Sequence, residues 1–201
     1  MIESMRIEPE PALEERSPTP FIVSATEPNW SRERPRAFWD PGRKLLKTIR
    51  DYQRLKFETG LLTAARRRLI VLRHRFWSIV TASDIPLSCT GLGGGLKLPH
   101  PLGIVIHPKT ILGPNCLIMH HTTLMGSKTT GITAGGHIDF GAGSKILANV
   151  KIGKHVSIGA NAVVTKTVDD YAIVAGVPAK KIGENTQAKA AAEEKVRTDN
   201  T

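Results

Sequence analysis

Two side chains suited to proton transfer, Asp84 and His100, lie on either side of a glycine-rich stretch. Imidazole titrates near neutral pH, so a histidine can take a proton from a substrate hydroxyl, and a neighbouring carboxylate can fix the tautomer that accepts it. The pair therefore has the arrangement that a general base and its orienting carboxylate need.

The stretch between these residues contains Gly91 and the run Gly93 to Gly95. Glycine-rich loops can bind phosphate, but this one lacks the Lys-Ser/Thr pair of a P-loop and the Gly-x-Gly-x-x-Gly spacing of a dinucleotide-binding turn. Glycines also allow backbone segments to approach closely, and this structural role is the better interpretation here.

The region that must position these residues repeats every six positions between residues 104 and 177. The apolar anchors of this repeat are Ile106, Leu112, Ile118, Leu124, Ala134, Phe140, Ile146, Ile152, Ile158 and Val164. A second inward residue is expected four positions after most anchors: Thr110, Cys116, Thr122, Ile138, Ser144, Val150, Val156, Ala162 and Val168. Hexapeptide periodicity is typical of a parallel β-helix, in which stacked coils share one core. His137 and His155, one three-sided coil apart, are expected to stack on its outer surface.

The chain divides into four predicted regions. Residues 1–40 are proline-rich and form a disordered or loosely docked arm, residues 41–82 a basic α-helical segment, residues 83–182 the β-helix domain, and residues 183–201 a polar C-terminal tail. Within the helical segment, Gly60 is expected to separate two helices.

The helical segment concentrates charge, with eleven Lys and Arg against two acidic residues in a chain of net charge +10. We predict that it covers the open end of the solenoid and turns its basic residues to water, because solenoid ends need such a cover. The alternative is a cationic amphipathic helix that contacts anionic lipid. Nucleic acid is not expected as a partner, since no base-stacking aromatic platform accompanies the arginines.

Cysteine use and the N-terminus indicate a soluble cytoplasmic protein. Cys89 and Cys116 are far apart and lack Cys-x-x-Cys spacing, which argues against disulfides and a cysteine zinc site. Five acidic residues in the first fifteen exclude a signal peptide, and no apolar run reaches the roughly 20 residues of a membrane span.

The stretch from Asp84 to Ile182 resembles the serine O-acetyltransferases and their close relatives among the hexapeptide-repeat acyltransferases. The motifs that carry the resemblance are Asp-Ile-Pro-Leu from Asp84, Leu-Pro-His-Pro-Leu-Gly-Ile-Val-Ile from Leu98, Thr-Thr-Leu-Met-Gly from Thr122, Phe-Gly-Ala-Gly-Ser-Lys-Ile-Leu-Ala-Asn-Val from Phe140, Ile-Gly-Ala-Asn-Ala-Val-Val from Ile158, and Ala-Gly-Val-Pro-Ala-Lys from Ala175. The resemblance implies a left-handed parallel β-helix preceded by a short helical segment.

The resemblance also implies a function and a set of site residues. His100 matches the histidine that takes the proton from the acceptor hydroxyl, and Asp84 matches the acid that orients it. Gly126, Ala142 and Ala160 match positions lining the acetyl-CoA cleft, and Lys166 is available to the coenzyme's phosphates. His120, in the turn near that cleft, is a possible supporting residue. The family forms trimers, with each active site between two subunits, so the resemblance implies a homotrimer or a dimer of trimers, and no metal.

Two departures from the family pattern concern the acceptor. Pro99 precedes His100 where serine-specific members have aspartate, and Thr130-Gly131-Ile132 stands where they carry Arg-His-Pro. L-Serine remains the favoured acceptor, giving O-acetylserine for cysteine biosynthesis, with a sugar or exopolysaccharide as the alternative. The same fold is also found in a zinc carbonic anhydrase family, whose zinc ligands include two histidines five residues apart. No two histidines of this chain have that spacing, which argues against this function. A non-catalytic trimeric scaffold is the alternative from another functional class.

Overall fold

The computed structural model describes residues 23–199. A 3-10 turn (Trp30–Glu33) precedes helices α1 (Pro41–Leu55) and α2 (Leu61–Thr81), and helix α3 (Thr186–Asp199) follows the last strand. The predicted break at Gly60 is confirmed, since this residue is the N-cap of α2 with φ of 121°. None of the helices in residues 23–199 is long and apolar enough to cross a membrane.

Twelve short strands follow α2. They are β1 (Val105–Ile106), β2 (Ile111–Leu112), β3 (Leu117–Ile118), β4 (Thr123–Leu124), β5 (Thr133–Ala134), β6 (Asp139–Phe140), β7 (Lys145–Ile146), β8 (Lys151–Ile152), β9 (Ser157–Ile158), β10 (Val163–Val164), β11 (Ala172–Ala175) and β12 (Lys180–Glu184).

These strands form the three sides of a solenoid. The sheets have the orders β1-β4-β7-β10, β2-β5-β8 and β12-β11-β9-β6-β3, and every pair is parallel except β11 with β12. Neighbouring parallel strands within a sheet are one coil apart in sequence, so each side chain stacks on its equivalent in the next coil. The predicted parallel β-helix preceded by helices is confirmed.

The hexapeptide anchors form the core of the coils. All ten predicted anchors and all nine predicted secondary positions are buried, with Ile118, Leu124, Phe140 and Ile146 completely inaccessible. Because successive strand residues point to opposite sides of a sheet, the residue before each anchor faces outward, as Val105 does. The outward residues of the β1-β4-β7-β10 sheet therefore form a continuous face, which carries the candidate site.

The two helices cover the open end of the solenoid, as predicted. Leu45, Leu46 and Ile49 of α1 and Trp77 of α2 belong to the same core cluster as Ile85 in the first coil. Arg66, Arg68 and Arg75 of α2 face water, as expected of its basic residues, but the apolar residues at helical spacing do not form its packed face. The periodic residues Leu62, Leu69, Leu72, Phe76 and Ile79 are exposed, and α2 instead buries Thr63, Ile70, His74, Trp77 and Thr81.

Residues 23–40 lie against the first coils. The Glu33 carboxylate, which is buried, forms an ion pair with Arg50 at 2.9 Å and accepts a hydrogen bond from the Leu96 N–H at 3.0 Å. The Asn115 side chain hydrogen-bonds backbone atoms of Ser24, Glu27 and Asn29. The first half of the predicted arm, residues 1–22, lies outside the described residues.

Candidate active site

His100 and His120 meet at one corner of the solenoid. His100 lies in the turn before β1 and His120 in the turn before β4, and their ring centroids are 6.2 Å apart with planes at 79°. The ring of His121 follows, 5.5 Å from that of His120. His100 is exposed at this corner and His120 is half-buried, so both rings face a space that a substrate could enter.

A column of small side chains continues from His120 along the same corner. The His120 carbonyl accepts a hydrogen bond from the Gly143 N–H at 2.9 Å, and the Ala142 carbonyl accepts one from the Asn161 N–H at 2.8 Å. His120, Ala142 and Ala160 therefore occupy equivalent positions on successive coils. Ala142 and Ala160, two of the predicted cofactor-binding residues, therefore lie in one column with His120, next to His100.

The turn residues beside this column share a left-handed backbone. Gly103, His121, Gly143 and Asn161 all have φ between 55° and 72°. A Cβ on Gly103 would overlap the imidazole of His121, so glycine is required for the close approach of these two coils. This packing fixes the turn that carries His100.

Asp84 lies on the outward face of the β1-β4-β7-β10 sheet. Its backbone pairs with the first strand: its N–H donates to the Ile104 carbonyl at 2.8 Å, and its carbonyl accepts from the Ile106 N–H at 2.9 Å. Its side chain is exposed, while Ile85 beside it is buried in the core. Within residues 23–199 the structure shows no hydrogen bond or ion pair between Asp84 and His100. The orienting role of Asp84 therefore stays a prediction.

A groove of about 580 Å³ runs across this face beside Asp84. Outward residues of the strands and the turns after them line it, including Val105, His107, Thr123, Met125 and Gly126. A Cβ on Gly126 would overlap the His107 ring, so the absence of a side chain there leaves room for the imidazole. The lining is mostly apolar, as expected for a site that binds an extended organic ligand.

The remaining predicted residues are divided between the two edges of the sheet face. Strand pairing places Gly126 two residues after the β4 anchor and Lys166 two residues after the β10 anchor, so they lie in one column. The column of His120, Ala142 and Ala160 precedes the strands and lies at the opposite edge. The structure therefore brings the candidate residues to one face but does not gather them in one pocket of a single chain.

Two histidines near the site were not among the candidate residues predicted from the sequence. His107 lines the groove, and an eighteen-residue coil count from Met125 would have found it. His74 is buried in α2, with its Nδ1 2.9 Å from the Thr48 hydroxyl. Burial lowers the pKa of His74, and this effect is opposed by the Ile85 carbonyl and by the negative charge of Asp84. Its helical position, four residues after buried Ile70, was the available signal.

The loop at residues 127–130, which leads into the Thr130-Gly131-Ile132 segment, is closed on itself. The Ser127 N–H donates to the Thr130 carbonyl at 2.7 Å, and the Thr130 hydroxyl hydrogen-bonds the Asn149 side chain. Lys109 Nζ donates to the Lys128 and Thr129 carbonyls. The loop therefore presents small hydroxyl side chains and one lysine near the groove.

His137 and His155 stack as expected, with their Nδ1 atoms 2.8 Å apart, and Tyr171 continues the column 5.3 Å from His155. The expectation that they lie on the outer surface was wrong for His155, which is 7% exposed. Burial lowers the pKa of both histidines. Within residues 23–199 no group of three His, Cys, Asp or Glu side chains is arranged to hold a metal ion.

This chain is similar to known proteins of one family in both sequence and structure. The family model described as bacterial transferase hexapeptide (six repeats) matches residues 140–166. A serine acetyltransferase of Mycobacterium tuberculosis is 39% identical over 114 residues, which cover 55% of this chain and 49% of the relative. The chain spans about half the length of the curated relatives that it matches.

Solved structures of serine acetyltransferases also match this chain. The serine acetyltransferase of Neisseria gonorrhoeae in complex with serine superposes with a TM-score of 0.61 at 32% identity, over 72% of this chain and 58% of that chain. The Brucella abortus serine acetyltransferase in complex with coenzyme A gives a TM-score of 0.61 at 30% identity, over 73% and 57% of the two chains. The resemblance of this chain to the serine O-acetyltransferases of the hexapeptide-repeat acyltransferase superfamily is therefore confirmed, in sequence and in structure.

Proposed function

We propose that this chain is an acetyl-CoA-dependent O-acetyltransferase whose acceptor is a small hydroxyl compound, L-serine in the first place. The observation that carries the proposal is the match to serine acetyltransferases in both sequence and structure, including neighbours solved with serine and with coenzyme A. The exposed imidazole of His100, which meets His120 at the head of the small-residue column, supports it.

The proposed chemistry is direct transfer in a ternary complex. The acceptor hydroxyl loses its proton to a nitrogen of His100 while its oxygen attacks the thioester carbon. The C–O bond forms, the C–S bond then breaks, and the departing thiolate takes a proton to become the thiol of coenzyme A. Backbone N–H groups at the coil corners can stabilise the oxyanion that forms in between. No covalent enzyme intermediate is needed, and a positioned base contributes about 10²- to 10⁴-fold.

The division of the candidate residues between two edges of one sheet supports a shared site. Ala142 and Ala160 leave room for a narrow chain at one edge, and Lys166 offers a positive charge to phosphate at the other. The groove on this outer face is open to solvent, and a different face of a neighbouring subunit, related by a threefold axis, would close it. We therefore propose a trimer with acetyl-CoA bound between subunits.

We propose that the enzyme works in the cytoplasm. Cys89 and Cys116 are both free and buried, and burial raises the pKa of each thiol to about 12. Such thiols remain protonated and unreactive in a reducing compartment.

A sugar or exopolysaccharide hydroxyl is the second candidate acceptor. The observation that favours it is the self-closed loop at residues 127–130, which carries hydroxyl groups and Lys128 and leads into Thr130-Gly131-Ile132, where serine-specific relatives carry Arg-His-Pro. A guanidinium pairs with a carboxylate in a bidentate way that a single ammonium does not reproduce. Without that arginine, the acceptor need not be an amino acid.

The test measures thiol release from acetyl-CoA with L-serine, homoserine and a panel of sugars. His100→Ala is expected to lower kcat/KM by about 10²- to 10⁴-fold while acetyl-CoA still binds. Asp84→Asn is expected to lower it less. His137→Asn is the matched control, because it removes an imidazole at a corner of the coils away from the candidate site and keeps a residue that tolerates the left-handed backbone.

Two results would contradict parts of this proposal. Near-normal turnover in His100→Ala together with loss in His120→Ala would move the general base to His120. Absence of turnover with every acceptor, despite tight acetyl-CoA binding, would favour the non-catalytic scaffold. Calorimetry on Ala142→Trp tests the cofactor site separately, since a bulky ring in the small-residue column should weaken acetyl-CoA binding without unfolding the protein.

A further inference from the structure

Helix α2 turns a long apolar stripe away from the protein. Its members are Leu62, Ala65, Leu69, Leu72, Phe76 and Ile79, and the five large side chains among them are between 52% and 80% exposed. On the opposite side of the same helix, Ile70, His74 and Trp77 are buried against α1 and the first coil. The stripe therefore contributes nothing to the core of this chain.

The stripe is continuous and has basic borders. Its residues alternate in steps of three and four, which at about 100° per residue places them within an arc about 100° wide. Arg66 and Arg73 lie along one border, and Arg68 and Arg75 along the other. The helix contains no acidic residue, and within residues 23–199 none of these four arginines forms an ion pair with a carboxylate.

The same borders argue against pairing between two copies of α2. In heptad terms the stripe occupies positions a and d, and the four arginines occupy positions e and g, which face each other across a two-helix interface. Two copies would place arginine against arginine along both sides of the seam, and like charges in such positions disfavour association. The surface that fits this face is apolar in the centre and negatively charged around it.

Exposed aromatic side chains extend the apolar surface beyond the stripe. Trp39 is 61% exposed, with its ring 5.6 Å from that of Trp77, and Phe38 precedes it. Phe57, in the turn between α1 and α2, is also exposed. Tryptophan and phenylalanine are favoured at the boundary between lipid head groups and acyl chains. An anionic bilayer would contact the apolar stripe, the arginines on both of its borders and the exposed aromatic side chains. A partner helix would contact the stripe alone.

We propose that α2 docks on the surface of an anionic phospholipid bilayer, with its axis parallel to the membrane plane. The apolar stripe inserts at the level of the acyl-chain boundary, and the four arginines bind lipid phosphates on either side. This contact holds the enzyme at the membrane through the end of the solenoid that α1 and α2 cover, and the outer face of the β1-β4-β7-β10 sheet is not used for it.

The test is co-sedimentation of the full chain with phosphatidylcholine vesicles and with vesicles of phosphatidylcholine and phosphatidylglycerol in a 7:3 ratio. Binding should be at least about tenfold stronger to the anionic vesicles and should weaken as salt is raised, because salt screens exposed charges. Arg66→Gln with Arg73→Gln should weaken binding about 25-fold, from about fivefold for each basic residue near an anionic surface.

Leu72→Gln with Ile79→Gln should weaken binding to a similar extent while leaving the charge unchanged. The matched controls are Val177→Gln and Lys151→Gln, an exposed apolar and an exposed basic residue outside α2, which should bind as the unsubstituted chain does. Circular dichroism should be unchanged in all variants, since none of the substituted side chains is buried.

Three results would overturn the proposal. One is equal binding to neutral and anionic vesicles, and another is unchanged anionic binding in both α2 variants. The third is that the unsubstituted chain binds no vesicles and that Leu72→Gln with Ile79→Gln lowers its molar mass, measured by light scattering. That result would show that the stripe is an interface between protein subunits.

Discussion

Asn115 offers the sharpest test of how the segment before α1 is held on the solenoid. The residue is 1% exposed and sits at a coil corner with φ of 62°. Its Nδ2 donates to the carbonyls of Ser24 and Glu27, each at 2.7 Å, and its Oδ1 accepts from the Asn29 N–H at 2.8 Å. Asn115→Gly removes all three hydrogen bonds and keeps a residue that adopts this backbone without strain.

The expected magnitude follows from the three bonds. Each hydrogen bond contributes about 1 kcal/mol net, so their loss should lower the free energy needed to detach residues 24–29 from the solenoid by about 3 kcal/mol. The population of the detached state should then rise roughly 100-fold. The Arg32 guanidinium still donates to the Asn115 carbonyl at 2.9 Å, so the 3-10 turn should stay in place. The added backbone freedom of glycine does not enter, because residue 115 remains folded when the segment detaches.

Hydrogen exchange measured by mass spectrometry on a peptide that contains the Asn29 amide would report this change. That amide should exchange roughly 100-fold faster in Asn115→Gly, while amides in β3 and β6 keep their protection. The control is Asn161→Gly, which makes the same chemical change at an exposed corner with φ of 55°. Unchanged protection of Asn29, or an equal change in the control, would refute the reasoning.

Three further predictions concern the core and its titratable groups. Ile152→Asp should abolish soluble expression, since an unpaired buried carboxylate costs several kcal/mol, and a folded variant would contradict the assignment of the anchors. Thr110→Val should raise the free energy of unfolding by about 1 kcal/mol, because the Thr110 hydroxyl is buried without a hydrogen-bond partner. Thr122→Val, which loses a bond to the Gly141 carbonyl, should lower it by a similar amount in denaturant titrations. Stability should fall as pH drops from about 6.5 towards 5, because the unfolded chain then binds protons that buried or half-buried histidines of lowered pKa do not. The histidines concerned are His74, His137 and His155. Denaturant midpoints measured at pH 7.5 and at pH 5.5 check this, and equal midpoints would contradict it.

The period of six determined the solenoid and nearly its whole core. A coil side is too short to bury an apolar face alone, so an anchor every sixth residue fits only stacked coils, and Phe140 and Ile146 are buried for that reason. The same count fixed which residues stack. Counting along the sequence was therefore enough to place His137 over His155 and to put Ala142 and Ala160 in one column.

The helical segment shows what the tertiary structure alone decides. Periodicity predicts that α2 has an apolar stripe, but a helix with hydrophobic residues on one side and His74, Trp77 and Ile70 on the other has two faces that could pack. The choice depends on which face meets α1 and the first coil, where the Thr48 hydroxyl and the Ile85 carbonyl offer hydrogen-bond partners to the His74 ring. A buried imidazole needs such partners, and they come from residues distant in sequence. The contact of Asn115 with residues 24–29 could not be predicted either, because these residues are about 90 positions apart in the sequence. The meeting of His100 and His120 follows from the stacking of two turns twenty residues apart, a relation that only the folded coils establish.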